Sequence, residues 1–171
     1  NRIGLDLSLY QKTSRDLIIN LPLDPATGYT NTTVNAAEVE NRGVELGIDI
    51  TPVVVGDFSW DLTLNYTKNI SLVNSIYEGI DQVFVAGNPF GSGSPLGNYA
   101  IPGEPFGVIV GEQFSKNEEG KIFVNGQGGY VAGGFGVIAD PNPEFTANWI
   151  NNFSYKGMSF GFKWQYIQGG Q

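Results

Sequence analysis

From Phe58 to Asn69 the chain alternates without a slip, with Phe58, Trp60, Leu62, Leu64 and Tyr66 on one side of an extended backbone and Ser59, Asp61, Thr63, Asn65 and Thr67 on the other. A period of two predicts a strand with one apolar and one polar face. Along the apolar face the order runs aromatic, aliphatic, aromatic, which is how a strand crossing a bilayer meets an interface, the hydrocarbon and a second interface. The same period marks four further strands. Ile3, Leu5, Leu7 and Leu9 oppose Gly4, Asp6 and Ser8, with Leu17-Ile18-Ile19 extending or following that run, and Val44, Leu46, Ile48 and Ile50 oppose Glu45, Gly47, Asp49 and Thr51. Pro52 is expected to end the latter strand, and the connection from Pro52 to Asp57 makes 42–51 and 58–69 an antiparallel hairpin. Phe145, Ala147, Trp149, Phe153 and Tyr155 share one side of a strand over 143–155, interrupted by Asn151, for which the alternation offers no reason. After Lys156-Gly157, Met158, Phe160, Phe162, Trp164 and Tyr166 oppose Ser159, Gly161, Lys163 and Gln165, which predicts a strand over 158–168 and a second hairpin.

Between these strands the pattern fails in two places. Pro22 to Tyr29 is dense in turn formers and leads into a polar Asn/Thr stretch, so 20–40 reads as a loop. Glycine and proline crowd 70–142, where alternation survives only in 106–114 and 121–124, so this reads as a long excursion with small strands of its own. Connections therefore alternate long, short, long, short. An outer-membrane barrel has that asymmetry, and in one the strands 42–51 and 143–155 run inward while 3–12, 58–69 and 158–168 run outward. The expected class is all-β, an antiparallel up-and-down meander of five strands.

Composition narrows the function without naming it. The 171 residues include 24 glycines and 13% aromatics, which suits strands with one apolar side. Seventeen acidic residues against nine basic give a net charge of −8 and argue against a nucleic-acid partner. Cysteine and histidine are both absent, which removes disulfides, thiolate chemistry, the commonest metal ligand and the commonest general base. No run of about 18 apolar residues exists to make a transmembrane helix, a criterion that leaves membrane strands untouched. The chain begins mid-pattern at Asn1-Arg2-Ile3, as a piece cut from a longer sequence would. Read this far, the same alternation serves a soluble or cell-surface β-sandwich binding glycan with its apolar face inward, and the residues leave both open.

Residues 35–46 read Asn-Ala-Ala-Glu-Val-Glu-Asn-Arg-Gly-Val-Glu-Leu. This resembles the Asn-Ala-Gly-Glu-(Ile/Val)-x-Asn-(Lys/Arg)-Gly-(Val/Ile)-Glu stretch of SusC/RagA-like TonB-dependent outer-membrane transporters of the Bacteroidetes type, with Ala37 the one departure. Further pieces follow in the family's order: Asp16-Leu17-Ile18, Asp57-Phe58-Ser59-Trp60 opening a strand, Asn65-Tyr66-Thr67-Lys68-Asn69 closing it, Gly103-Glu104-Pro105-Phe106-Gly107 with Gly111, Asp140-Pro141-Asn142-Pro143-Glu144-Phe145, and Phe153 to Phe160. The resemblance covers essentially the whole chain and implies five strands from the later part of a 22-stranded transmembrane barrel, with 70–142 an extracellular loop region. It also implies a plug domain and TonB box outside these residues, TonB as energy source, a SusD-like surface lipoprotein as partner, outer-membrane lipid around the barrel, and oligosaccharide or peptide as solute.

Within that expectation Glu45, Asp49, Asp61 and Asn65 face the lumen, where they contact solute or simply make a polar wall. Tyr77, Phe84, Phe90, Tyr99 and Tyr130 stack on sugar rings, grip the lipoprotein, or pack the loop itself. Phe58, Trp60, Tyr66, Trp164 and Tyr166 are read as membrane-interface aromatics. Asp57, Asp81 and Asp140 lie too far apart for a calcium loop. The pairs Glu118-Glu119 and Glu38 with Glu40 are not ordered across a sugar as glycosidase chemistry requires, so neither a catalytic residue nor a cofactor is expected.

Overall fold

The computed structural model describes residues 2–22, 25–29, 31–86 and 96–170. Nine strands carry the chain: β1 (Ile3–Pro22), β2 (Asn31–Val55), β3 (Phe58–Ser75), β4 (Val83–Ala86), β5 (Gly97–Ala100), β6 (Val108–Phe114), β7 (Ala132–Ala139), β8 (Pro143–Tyr155) and β9 (Met158–Gly169). They form a five-stranded sheet in the order β1-β2-β3-β8-β9 and a four-stranded sheet in the order β4-β5-β6-β7. The only helical segment among the described residues is a 3-10 turn at Pro25–Thr27. The meander of five strands is as expected, with the second sheet inserted between its third and fourth members.

Three boundaries differ from the sequence reading. The loop expected over 20–40 is shorter, since β1 runs to Pro22 and β2 starts at Asn31 and buries Ala37 and Val39. The apolar partners of Val39 lie far along the chain, at Val73, Val83 and Ala100. Pro52 does not end β2, which continues to Val55, so the connection is two residues, Gly56-Asp57, rather than six. Proline removes one ladder donor, and the rest of a 25-residue strand carries that loss. Finally, Asn65 to Asn69 does not close β3, which runs on to Ser75. Where turn chemistry was explicit the turn positions agree: Gly56 has φ +58°, while Lys156 and Gly157 both have positive φ, as a two-residue type I′ hairpin turn demands.

The chain divides into two compact units, one of residues 1–13, 40–71 and 143–170, the other of residues 14–39 and 72–142 with Gln171. The first contains no buried residue among those described. The register places Phe58, Trp60, Leu62, Leu64 and Tyr66 opposite Tyr155, Phe153, Asn151, Trp149 and Ala147, and these opposite Met158, Phe160, Phe162, Trp164 and Tyr166. All three tryptophans of the chain share this face. Aromatics gather at its two ends: Phe153 stacks on Trp60 with ring centres 5.6 Å apart and touches Phe58, Phe160 and Phe162, while Phe145 contacts Tyr66 and Tyr166. Asn151 now has its reason. Its Oδ1 accepts the Trp60 indole N–H at 3.2 Å, satisfying a donor that the surrounding rings cannot.

The second unit has an ordinary core. Val39, Val73, Val83 and Ala100 cluster, with Leu17, Val34, Ile76, Ile80 and Phe106 packed on them, and Val73 is fully buried. The stretch 115–131 is an eight-residue repeat. Asn117 and Asn125 each accept two backbone N–H groups on their side-chain oxygen, from Glu119 and Lys121 and from Gln127 and Gly129, and each turn has a positive-φ glycine three residues on. Ser115, Phe123 and Val131, eight apart, bond to one another in a closed triangle of backbone hydrogen bonds. The alternation at 121–124 is the middle limb of that triangle.

Candidate functional site: the polar face of the five-stranded sheet

Because the pleat alternates, every residue between the apolar rows points to the opposite face. In β3 and β8 that face carries Asp61 opposite Asn152, Asn65 opposite Asn148 and Thr67 opposite Thr146, and Asn148 in turn faces Gln165 of β9. Across β2 and β3 the Thr51 hydroxyl donates to Asp61 at 2.7 Å and the Thr63 hydroxyl donates to Asp49 at 2.5 Å. Each carboxylate is thus oriented by a cross-strand threonine and remains exposed. Glycines keep the neighbouring positions low: a Cβ on Gly4 would touch Asp49, and one on Gly47 would touch Asn65 and Asp6. A depression of about 360 Å³ runs past Gly4, Asp49, Thr51, Asp61 and Thr63.

Farther along the same face Tyr10 lies across Gly43, where a Cβ would meet its ring and the Lys68 carbonyl at 2.5 Å. The Tyr10 hydroxyl donates to Asn69, whose amide donates to Asn41. Gly43 of the Asn-Arg-Gly-Val-Glu stretch is therefore glycine for steric reasons, so that an aromatic ring can lie on bare backbone.

Of the residues singled out from sequence, Asp49, Asp61 and Asn65 come together on this face, and Glu45 lies on it, exposed, farther along β2. Phe58, Trp60, Tyr66, Trp164 and Tyr166 all lie on the opposite, apolar face. The excursion aromatics divide. Tyr77, Phe84 and Tyr130 are at least half exposed, Tyr130 with its ring 4.8 Å from Phe114. Tyr99 is buried edge-on against Phe84, because β5 lies inside its sheet, and it contributes to the core rather than to a surface. Phe90 lies outside the described residues.

Sequence reasoning missed Asn148, whose side-chain oxygen is inaccessible and has no partner among the described residues. Its even parity in β8, opposite Asn65, was the available signal. It also passed over Glu38 except as a possible acid. Glu38 accepts from Arg15 and from Asn74, both at 2.9 Å, so the two carboxylate oxygens are engaged. The Asn74 amide holds Glu38 below the usual carboxylate range, opposed by desolvation and helped further by the charge and hydrogen bond of Arg15.

Comparison with known proteins accounts for this two-faced sheet. The family described as TonB dependent receptor-like, beta-barrel, matches residues 1–171. TonB-dependent receptor P3 of Formosa agariphila is 25% identical over 192 residues, covering 100% of this chain and 19% of that protein. TonB-dependent receptor SusC of Bacteroides thetaiotaomicron is 26% identical over 174 residues, covering 94% of the chain and 17% of that protein. Among solved structures the RagAB peptide transporter superposes with a TM-score of 0.74 at 20% identity, over 99% of this chain and 19% of that one. The chain thus spans about a fifth of the length of the relatives it matches. It belongs to the β-barrel family of TonB-dependent receptors, SusC-like and of the outer membrane.

Proposed function

We propose that the protein containing this chain imports a nutrient, oligosaccharide or peptide, across the outer membrane. In this reading the five-stranded sheet is one arc of a 22-stranded wall, residues 70–142 lie on the extracellular side, a SusD-like lipoprotein delivers solute there, and TonB supplies energy through a plug domain. The observation that carries it is the sheet's apolar face. Phe58 to Tyr66 is eight residue steps, about 27 Å along the strand and about 20 Å across a bilayer at a barrel's tilt, close to the ~25 Å apolar band of such proteins. Aromatic clusters close both ends of that span, and nothing on the face is buried. A soluble sandwich would bury those rows against a second sheet at core density. The polar face then lines the lumen, where Asp49, Asp61 and Asn65 present carboxylates and an amide to a hydroxyl- or amide-rich solute.

The reading is tested by uptake of labelled oligosaccharides and labelled peptides in cells with and without the intact gene. Accumulation of one class, lost on deletion and on removal of TonB, is the expected result. Equal uptake of both classes in the deleted strain overturns it.

A further inference from the structure

The segment Gly103-Glu104-Pro105-Phe106-Gly107 joins β5 to β6 and would pass for a surface loop. Its bonds give it another character. On one side it pairs with the end of β3: Val73 N–H donates to the Glu104 carbonyl at 3.0 Å and Gly103 N–H donates to the Val73 carbonyl at 2.9 Å. On the other side the Asn142 amide, at the entry to β8, donates to the Phe106 carbonyl at 3.1 Å. Asn142 is itself fixed, since its backbone N–H and its side-chain amide both donate to Asp140 Oδ1, at 2.9 and 2.7 Å. Phe106 packs on the cluster of Val39, Val73, Val83 and Ala100. At its far end the loop is held to β5, with Gly107 N–H on the Tyr99 carbonyl and the Asn98 amide on the Gly107 carbonyl.

The register of β3 with β8 explains why such a piece is needed. Their pairing ends at Thr67 and Thr146. Beyond it the outgoing stem at Val73 and the returning stem at Asn142 do not bond each other, and both bond residues 103–106 instead. We infer that Gly103–Gly107 is a strap that ties the two stems of the 72–142 excursion together, with Asn142 as its latch, so that the excursion is held as one body rather than as a flexible lid. Backbone geometry is consistent with a purpose-built turn: Gly103 and Gly107 have φ +86° and +84°, with open space where a Cβ would be. The excursion's placement outside the cell is not needed for this inference, which stands or falls on the bonds alone.

The test is hydrogen exchange on the whole protein in lipid nanodiscs, followed at the amides of Val73, Gly103 and Gly107. Asn142→Ala removes the donor to Phe106 together with the side chain's own bond to Asp140, leaves the backbone N–H on Asp140 and adds no charge, and it is expected to speed exchange at Val73 and Gly103 by about tenfold. Gly103→Ala disturbs the same strap through φ alone, without touching any neighbour, and is expected to speed the same amides. Amides of 60–66 and 147–153, paired in the wall, stay at wild-type rates in both variants. Unchanged exchange at Val73 and Gly103 in both variants overturns the strap, and so does loosening that spreads equally to the wall, because that assigns Asn142 to the fold as a whole. Exchange requires no substrate, so a failure here is separate from a failure of the import reading.

Discussion

The two units of this chain use the same alternating strands and treat their apolar residues in opposite ways. The first holds all three tryptophans, Phe153, Phe160 and Phe162, yet buries none of its described residues, and Trp164 is 68% exposed. The second buries smaller side chains, Val73 at 0% and Val108 at 1%, and leaves polar and glycine-rich turns outside. Water penalises the first arrangement and rewards the second, at about 25 cal/mol for each square ångström of apolar surface. The second unit displays rings too, Tyr77, Phe84, Phe114, Tyr130 and Phe135 among them, so the difference is that it has a buried aliphatic cluster and the first has none. Smaller aliphatics make the buried cluster of the second unit.

Putting a charge on the displayed face attacks that comparison most directly. Leu64→Arg places a guanidinium in the middle of the apolar rows, opposite Trp149. In the intact protein folded into bilayers it is expected to cost about 2–4 kcal/mol, read as a lowered midpoint of urea unfolding. Thr63→Arg, one residue away on the polar face, is the control and is expected to cost far less. Equal losses at both positions break the distinction between the faces. The second unit calls for the opposite probe, a cavity: Val73→Ala is expected to cost about 2 kcal/mol by removing methyl groups from a closed site, with the loss confined to 72–142 in exchange measurements. A Val73→Ala effect that unfolds the wall would show the units to be one cooperative body.

Much of this was legible in the chain before any coordinates. Strands β3, β8 and β9 were readable because one face of each is uniformly apolar, and their turns carry the glycines that type demands. The start of β2 was not readable, since the apolar partners of Val39 lie more than thirty positions away. Proline statistics misled at Pro52 for a related reason: a ladder on both sides of β2 outweighs one missing donor. The carboxylates of the polar face, Asp49 and Asp61, followed from parity alone. Their threonine partners did not, because that contact depends on the register of β2 against β3.

A smaller probe asks how strictly the displayed face is apolar. Asn151 is a polar intruder, and its side-chain oxygen accepts the Trp60 indole N–H. Asn151→Leu restores a uniform face and strands the indole N–H, so a net loss of about 1 kcal/mol is expected, measured by the same urea midpoint. Trp60→Phe should remove most of that penalty, because no donor is then left unmet. If Asn151→Leu stabilises the protein with Trp60 in place, uniform greasiness outranks donor satisfaction on this face.

Glu38 offers the smallest effect and separates the units by pH. Its carboxylate is held below the ordinary range by the Asn74 amide first and the Arg15 charge second. A carboxyl with a lowered folded pKa contributes in full above the unfolded value, about 4.3 for glutamate, where it is ionised in both states. As the pH falls below that value the unfolded chain takes up the proton first, and the contribution is gone once the pH has passed the folded value. The residue is partly exposed, so salt screens the Arg15 contribution and the effect is modest. Exchange at Val73 and Ile80 in the second unit should therefore quicken as the pH drops through the acid range after correction for the intrinsic rate, while amides of 60–66 do not respond to Glu38. Glu38→Gln keeps the shape and removes the charge, so it should flatten that acid dependence and leave the neutral-pH fold in place. Acid loosening that persists unchanged in Glu38→Gln would assign the response to other carboxylates, and the second unit would then owe its hold on Arg15 and Asn74 to packing rather than to charge.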